Sequence, residues 1–198
     1  MIEPDFASIA ELNESMRREF APGAGVGGIV PGEGPALAAI AFVGEQPGDA
    51  EDREGRPFVG PAGRLLDRAL VEAEIDRGDC YMTNAVKQFH FVERGKRRLH
   101  RKPRTSEIAH YRWWLWREIE LVRPGVIVAL GATAGLALAE RTVAVTRERG
   151  PMTFGNRRGF LTVHPSYLLR IPDAEAKQTA FDAFVEDLRQ ARQLGRTI

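Results

Sequence analysis

His100 is the side chain with the clearest potential for nucleophilic chemistry, because of the residues around it. It lies in a segment, residues 94–104, that consists mostly of Lys and Arg. Neighbouring positive charges disfavour the imidazolium form, and neutral imidazole is a competent nucleophile. Since the chain has a net charge of only +1, this segment should also create a local field that attracts phosphate. A solvated loop without function is the alternative.

A second polar segment, GEQPGDAED at residues 44–52, places four carboxylates close together after an apolar run. Carboxylate oxygens coordinate divalent cations, so a metal site is one interpretation of this segment and an exposed acidic loop is another. The segment has no Lys-Ser/Thr ending of the kind that completes a phosphate-binding P-loop, which argues against nucleoside triphosphate binding.

Phe58 and Asn84 are candidates for recognition of a planar, polar ligand. Phe58 directly precedes a predicted helix; such a ring usually belongs to the core, but its face can also stack on a base. Asn84 ends a predicted strand, where it can form a turn. Its amide carries one acceptor and two donors, the set that is needed to read the edge of a pyrimidine.

His164 opens the segment HPSYLLR at residues 164–170, directly after the last predicted strand. A single histidine is more often structural than catalytic, but this one lies at the end of a strand where ligands usually bind. Leu168 and Leu169 are candidates for the core or for wedges that unstack DNA while a base leaves the helix.

These side chains need a scaffold, and the hydrophobic pattern predicts an α/β fold. Short apolar runs predict strands at 37–43, 80–83, 126–130 and 160–163, and helical periodicity predicts helices at 6–20, from 61, 105–122, 131–139 and 174–194. Asp5 and Thr105 or Ser106 are the expected helix caps, and residues 21–35 form an irregular Gly/Pro-rich connector. Alternating strands and helices predict a three-layer α/β/α domain around a four-stranded, mainly parallel sheet.

The carboxyl ends of parallel strands lie along one edge of a sheet, and ligands bind beyond that edge. The acidic segment, Asn84 and His164 each follow a predicted strand. We therefore expect three separate segments to converge on one site.

The composition sets limits on the class of protein. Of the 198 residues, 43% are hydrophobic and 28% are charged, as in ordinary globular proteins. A single cysteine, Cys80, excludes an internal disulfide and cannot by itself hold an iron–sulfur cluster or a structural zinc. The N-terminus has no signal-peptide pattern and no apolar run is long enough to span a membrane, so a cytoplasmic protein is expected.

Four segments, in chain order, resemble the uracil-DNA glycosylase superfamily near its family 4: GEQPGD at 44–49, GRPFVGPAG at 55–63, TNAVK at 83–87 and HPS at 164–166. The segment KRRLH at 96–100 resembles the Lys-Arg-Arg-Ile-His insertion that marks the UdgX branch, with Leu99 in place of the isoleucine. The resemblance implies a single glycosylase-like domain over residues 1–198, in which 1–35 are the N-terminal helix and connector. It also implies a monomer that is nucleoid-associated when bound to DNA.

The resemblance further implies roles for individual residues. His100 would bond to the sugar carbon, with Glu45 orienting the imidazole or accepting its proton, while Gln46 and Asp49 line the sugar side and His164 stabilises the leaving uracil. The residues expected to bind uracil are Gly44, Gln46, Phe58, Asn84 and His164. Those expected to contact DNA are Lys96, Arg97, Arg98, Arg101, Ser166, Leu168 and Arg170, with Arg98 also able to hold the basic segment in place.

One departure from the family concerns its cofactor. Relatives hold a four-iron cluster through cysteines, but the region from Asn13 to Met16 has none, and the later ligand positions correspond to Gln88 and Tyr111. Cys80 matches no ligand position. We therefore expect neither an iron–sulfur cluster nor another metal, with packing by Tyr111, Trp113 and Trp114 as one possible substitute.

The expected function is that of a UdgX-like glycosylase: it flips deoxyuridine out of single- or double-stranded DNA, releases free uracil and stays attached to the abasic sugar through His100. The same residues are compatible with three alternatives. They are a conventional glycosylase that uses water, a non-catalytic module that binds uracil-containing DNA, and a nucleotide- or metal-binding hydrolase that uses the acidic segment.

Overall fold

A five-stranded sheet forms the centre of the molecule in the computed structural model, which describes residues 5–196; the ends of the predicted domain lie outside them. Its strands are β2 (Ile40–Gly44), β3 (Cys80–Asn84), β6 (Val126–Leu130), β7 (Gly150–Phe154) and β8 (Arg157–Thr162). The spatial order is β3-β2-β6-β8-β7, and β3, β2, β6 and β8 are parallel. The α/β class and the four parallel strands were predicted from the sequence.

The prediction of four strands is corrected by β7, which pairs antiparallel with β8 at the edge of the sheet. Gly150 and Pro151 begin this strand, and the two residues together are typical of a turn. Proline is tolerated in an edge strand because its missing N–H group can lie on the side without a neighbouring strand. The sheet is therefore mixed.

Helices cover both faces of the central sheet, as a three-layer domain requires. Phe42 packs in one apolar cluster and its neighbour Val43 in the other, because successive side chains of a strand point to opposite faces. On the Phe42 side lie α3 (Pro61–Glu72), α7 (Pro165–Leu169) and α8 (Ala174–Arg196); on the Val43 side lie α1 (Ile9–Glu19), α4 (Thr105–Val122) and α5 (Ala132–Ala139). No helix in the described part of the chain is long and apolar enough to cross a membrane.

The caps of two helices differ from the prediction. Ser8, not Asp5, caps α1, and its hydroxyl accepts a hydrogen bond from the Glu11 backbone N–H at 3.2 Å. In α4 the Glu107 carboxylate accepts from the Arg104 backbone N–H at 2.6 Å, so neither Thr105 nor Ser106 is the cap residue. A carboxylate in the first turn also interacts favourably with the helix dipole.

A second, antiparallel sheet is separate from the central one and corrects two predictions. Its strands are β1 (Val26–Ile29), β4 (Gln88–Arg94) and β5 (Arg97–His100), in the order β1-β4-β5. The connector expected to be irregular thus contains β1. Residues 94–100 of the basic segment, which was expected to be a loop, form the end of β4, the turn and β5 of a β4–β5 hairpin. Gly95 turns this hairpin with φ +61°. Strand β5 has no apolar run that would predict it, because the outward face of an antiparallel sheet can carry charged residues.

Two short helices, α2 (Asp49–Glu54) and α6 (Val145–Glu148), complete the fold. Helix α2 contains the second half of the acidic segment, for which an exposed loop was one interpretation. Gly48 precedes it, and the Glu51 carboxylate accepts hydrogen bonds from the backbone N–H groups of Gly48 and Gly60, each at 3.1 Å. Glu51 therefore ties α2 to the chain that leads into α3.

Candidate active site

A cavity of about 1220 Å³ opens beyond the carboxyl ends of the parallel strands, where the sequence predicted a site. The predicted site residues among its lining are Glu45, Gln46, Asp49, Phe58, Asn84, His100, His164, Ser166 and Arg170. Segments that are far apart in the chain thus converge there, as expected. The lining also includes the first turn of α5, which the sequence did not single out.

His100 and Glu45 meet at the mouth of the cavity. The His100 Nε2 atom lies 3.0 Å from Glu45 Oε1, and about half of the His100 side chain is exposed. Val43 and Gly44 of β2 place Glu45 at the sheet edge, while His100 arrives from the last position of β5. The contact brings an imidazole and a carboxylate together in a position that a ligand can reach from solvent.

The Glu45 carboxylate has a second partner, since Thr133 Oγ1 donates to Oε2. Burial alone would raise the pKa of Glu45, but the hydrogen bonds from His100 and Thr133 outweigh it, so the pKa lies below its usual value. Glu45 is therefore ionised at neutral pH. An ionised carboxylate can orient the imidazole and accept a proton from it.

His164 faces the cavity from the end of β8 in a neutral form. Burial is the main cause that lowers its pKa to about 4, against the opposing charge of Glu45. Its Nδ1 atom accepts a hydrogen bond from the Ser166 backbone N–H at 3.1 Å. A neutral imidazole that accepts at Nδ1 carries its proton on Nε2. His164 is thus a neutral hydrogen-bond donor.

Phe58, Gly44 and Asn84 form a closely packed corner of the cavity. A Cβ on Gly44 would lie 2.3 Å from Asn84 Oδ1 and 2.7 Å from Phe58 Cζ, so only glycine fits between the amide and the ring. The Phe58 ring lies 6.5 Å from the His164 ring, with 28° between their planes, and its backbone has φ +56°. Phe58 is both part of the core, at 5% exposure, and part of the cavity wall.

Arg98 is partly buried, whereas Lys96 and Arg97 beside it in the hairpin are exposed. Its guanidinium donates to Asp49 Oδ1 at 2.6 Å and to Asp52 Oδ2 at 2.5 Å, and it stacks 5.0 Å from the Phe91 ring centroid. These contacts tie β5 to α2. Arg98 therefore holds the strand that carries His100, as the sequence suggested, and the DNA contact expected of it stays a prediction.

Gln46 and Arg101 also act on the hairpin. The Gln46 amide donates to the backbone oxygens of His90 and Arg101, each at 3.1 Å, and accepts from the His90 N–H at 3.3 Å. The Arg101 guanidinium pairs with Glu107 at 2.7 Å. Since its polar atoms are occupied, Gln46 supports the His100 strand. Arg101 is braced against α4, and the DNA contact expected of it stays a prediction.

Leu168 and Leu169, adjacent in α7, have opposite environments. Leu168 is fully buried in the core, so the expectation that it contacts DNA is corrected, whereas Leu169 is 40% exposed and lines the cavity. Lys96 and Arg97 are exposed on the hairpin and Arg170 is exposed at the end of α7. These three cations remain available to a phosphate backbone.

The sequence did not reveal Thr133, Glu51, Glu107 or His90 as parts of the site. Thr133 follows Gly131 at the end of the clearest predicted strand, and that position is the signal that could have identified it. The other three act by hydrogen bonds between segments that are distant in the chain. Such contacts leave no periodic pattern.

Gln88 and Tyr111 stand at two positions where the family resemblance implies ligands of an iron–sulfur cluster, and neither residue is a cysteine. Gln88 and Tyr111 are hydrogen-bonded to each other, and the Gln88 amide also donates to the Gly27 carbonyl at 2.7 Å. Cys80 is buried on β3 and donates to the Asp76 carbonyl. Among residues 5–196, no group of three or more His, Cys, Asp or Glu side chains is arranged to hold a metal ion.

Comparison with known proteins agrees with this geometry. The model of the uracil DNA glycosylase superfamily matches residues 31–189. A type-4 uracil-DNA glycosylase of Thermotoga maritima is 40% identical over 83% of this chain and 81% of its own length, and one of Pyrobaculum aerophilum is 36% identical over 72% and 74%. A third, from Sulfurisphaera tokodaii, is 33% identical over 85% and 75%. The chain therefore belongs to the uracil-DNA glycosylase superfamily and, within it, to family 4.

Proposed function

We propose that this protein excises uracil from DNA and, as a UdgX-like enzyme, remains covalently attached to the abasic sugar through His100. The observation that carries the proposal is the contact between His100 and the ionised Glu45 at the mouth of a cavity that also holds a neutral His164. A nucleophile, a proton acceptor and a donor for the leaving group thus share one cavity.

The corner formed by Gly44, Phe58 and Asn84 is the proposed uracil site. The Phe58 ring supplies a stacking surface, and the Asn84 amide has no hydrogen-bond partner within the described residues, which leaves its donors and acceptor for the base edge. Gly44 allows the base to approach the backbone of β2. This arrangement supports a flipped nucleotide, because a base inside a duplex could not reach the corner.

The proposed reaction forms one bond and breaks one bond at the sugar. A ring nitrogen of neutral His100 bonds to C1′, the bond from C1′ to N1 of uracil breaks, and the electron pair leaves with the base. The Nε2–H group of His164 donates to the uracil oxygen that gains charge. The imidazolium of His100 then passes its remaining N–H proton to Glu45, and the uracil anion is protonated by solvent.

DNA contacts are proposed for the exposed cations around the cavity. Lys96 and Arg97 are exposed on the hairpin that carries His100, while Lys102 and Arg170, which directly follows α7, line the cavity. Phosphates that bind these residues would place a nucleotide over the opening. Both single- and double-stranded DNA fit this proposal.

A conventional hydrolysis by water is the second candidate, and the likeness to type-4 glycosylases favours it. Incubation with a uracil-containing oligonucleotide, followed by a denaturing gel and a count of released uracil, separates the two. We expect a detergent- and heat-resistant shifted band and one uracil per protein. Repeated release of uracil without a shifted band would contradict the covalent step but not glycosylase activity. Tight binding of the oligonucleotide without release of uracil would contradict both and would indicate a non-catalytic protein that binds uracil-containing DNA.

Replacement of Asn84 by alanine is expected to lower the rate of uracil release about 10- to 100-fold. The variant loses the hydrogen bonds to the buried base edge, and leaving a buried polar group unpaired costs about 1–3 kcal/mol. The measurement is single-turnover uracil release at saturating protein. Asn156→Ala, in the exposed turn between β7 and β8, is the matched control. An Asn84→Ala variant with an unchanged rate would remove Asn84 from base recognition.

We also propose that the protein works without an iron–sulfur cluster, with the Gln88–Tyr111 hydrogen bond in its place. The purified protein should contain no stoichiometric iron, and treatment with a chelator and ferricyanide should leave uracil release unchanged. Tyr111→Phe should lower the free energy of unfolding by about 1–3 kcal/mol, since it leaves the buried Gln88 oxygen without a donor. Iron that copurifies and is needed for activity would contradict this proposal.

A further inference from the structure

Thr133 lies in the first turn of α5, directly behind the Glu45 carboxylate. Its side chain is buried, and Oγ1 contacts Glu45 Oε2. Because Glu45 is ionised, its oxygens only accept, so the Thr133 hydroxyl must be the donor. Oε1 of the same carboxylate is 3.0 Å from His100 Nε2. Glu45 therefore uses one oxygen for the catalytic imidazole and the other for the hydroxyl.

The position of Thr133 is rigid, which suits it to hold another group. Gly131 has φ +89° and its N–H donates to the Thr162 carbonyl at 2.8 Å, which ties the start of α5 to β8. A Cβ at Gly131 would lie 3.1 Å from His164 Cβ, so the helix start is packed against the second histidine of the site. The hydroxyl is thus presented from a fixed backbone.

We propose that Thr133 is a positioning residue that holds Glu45 in the orientation required for His100 to act, and so sets the rate at which the glycosidic bond breaks. This inference rests on the proposed glycosylase function. Without the hydroxyl, the carboxylate can rotate away from His100, because the remaining contact constrains only one of its two oxygens. In the arrangement His100–Glu45–Thr133, His100 is the nucleophile, Glu45 is the base and Thr133 is the third group that orients the base.

Electrostatics adds a second effect of the same hydrogen bond. The groups that face Glu45 are His100 from β5, Thr133 from α5 and His164 after β8. The Thr133 hydrogen bond stabilises the carboxylate, and its loss should raise the pKa of Glu45 while burial continues to oppose ionisation. The fraction of Glu45 able to accept a proton would then fall at mildly acidic pH.

The test compares Thr133→Val, which keeps the shape and removes the donor, with Thr133→Ser, which keeps the donor. For the valine variant we expect about a tenfold slower single-turnover uracil release, unchanged affinity for uracil-containing DNA, and an acid limb of the pH–rate profile displaced to higher pH. The serine variant should recover most of the rate. Thr142→Val, an exposed substitution after α5, is the matched control.

Two further measurements keep the inference distinct from the proposed function. Carboxyl NMR titration of Glu45 in the free protein should show a raised pKa in Thr133→Val and not in Thr142→Val, whether or not the protein excises uracil. Thermal unfolding identifies a general loss of stability. An unchanged rate with an unchanged Glu45 titration would overturn the role of Thr133, as would equal defects in the valine and serine variants.

Discussion

Replacing His100 with alanine is expected to abolish the resistant protein–DNA band completely. His100 is half-exposed at the cavity mouth, and its imidazole lies 3.0 Å from the ionised Glu45 carboxylate. His164 cannot substitute, because its Nδ1 is occupied by Ser166 and its Nε2 carries the proton. The measurement is the denaturing gel on uracil-containing DNA, with wild-type protein in the adjacent lane.

The His100 variants also test whether base release needs the histidine. His100→Gln keeps a polar side chain that can contact DNA but has no imidazole nucleophile, and it should likewise give no band. Uracil release by either variant would show that water can attack the sugar carbon when the His100 imidazole is missing. Arg97→Ala serves as the control for a loss of phosphate contact alone, and should weaken binding while it retains the band. A resistant band with His100→Ala would refute the covalent role.

Loss of the Glu118 carboxylate is expected to cause the largest change in stability. Glu118 and Lys87 are fully buried, and their side chains lie 2.5 Å apart. Glu118 also accepts from Gly32 N at 3.1 Å, from Tyr81 Oη at 3.1 Å and from Thr83 Oγ1 at 2.7 Å. Breaking a buried ion pair leaves an uncompensated charge and costs about 3–5 kcal/mol. Glu118→Gln should lower the free energy of urea-induced unfolding by about that amount.

The double variant Lys87→Met/Glu118→Gln shows whether the cost comes from the orphaned charge. Burial lowers the pKa of Lys87, against the opposing effect of Glu118, so an unpaired ammonium is unfavourable there. Removing both charges should cost less than the sum of the two single changes. If the single changes simply added, or if Glu118→Gln left the unfolding midpoint unchanged, the pair would not stabilise the fold. Lys87→Met alone provides the measurement if Glu118→Gln does not fold.

This buried pair also links stability to the site. Lys87 Nζ contacts Thr83 Oγ1 at 2.6 Å, and Thr83 is adjacent to Asn84 at the end of β3. The turn after β3 is further held by the Ala85 N–H, which donates to the Gly44 carbonyl at 2.9 Å. The amide proposed to read uracil therefore projects from a segment that is fixed on both sides. A rigid support of this kind reduces the entropy lost when a base binds.

The hairpin that carries His100 is supported by many separate contacts. Arg98 joins it to α2, Gln46 joins it to β2, and Arg101 joins it to Glu107 of α4. At the other end of the small sheet, Gln88 connects Tyr111 with the Gly27 carbonyl. These hydrogen bonds and ion pairs hold β5 in a defined position beside Glu45.

Much of this molecule could be predicted from local patterns. The apolar runs within β2, β3, β6 and β8 identified the parallel strands, because strands buried on both faces are largely apolar. Glu45, Asn84 and His164 followed from their positions after those strands. The β4–β5 hairpin and β7 were missed because an outer strand can be charged and an edge strand can contain proline.

The sequence by itself determined the chemistry of the site: which residue types follow the buried strands, and the absence of enough cysteine for a four-iron cluster. Only the tertiary structure decided which side chains meet. It placed Thr133 behind Glu45, turned Arg98 inward to Asp49 and Asp52, and put Leu168 in the core with Leu169 at the surface. The physical reason is that backbone periodicity follows from neighbouring residues, whereas hydrogen bonds between distant segments exist only after the sheets and helices have packed.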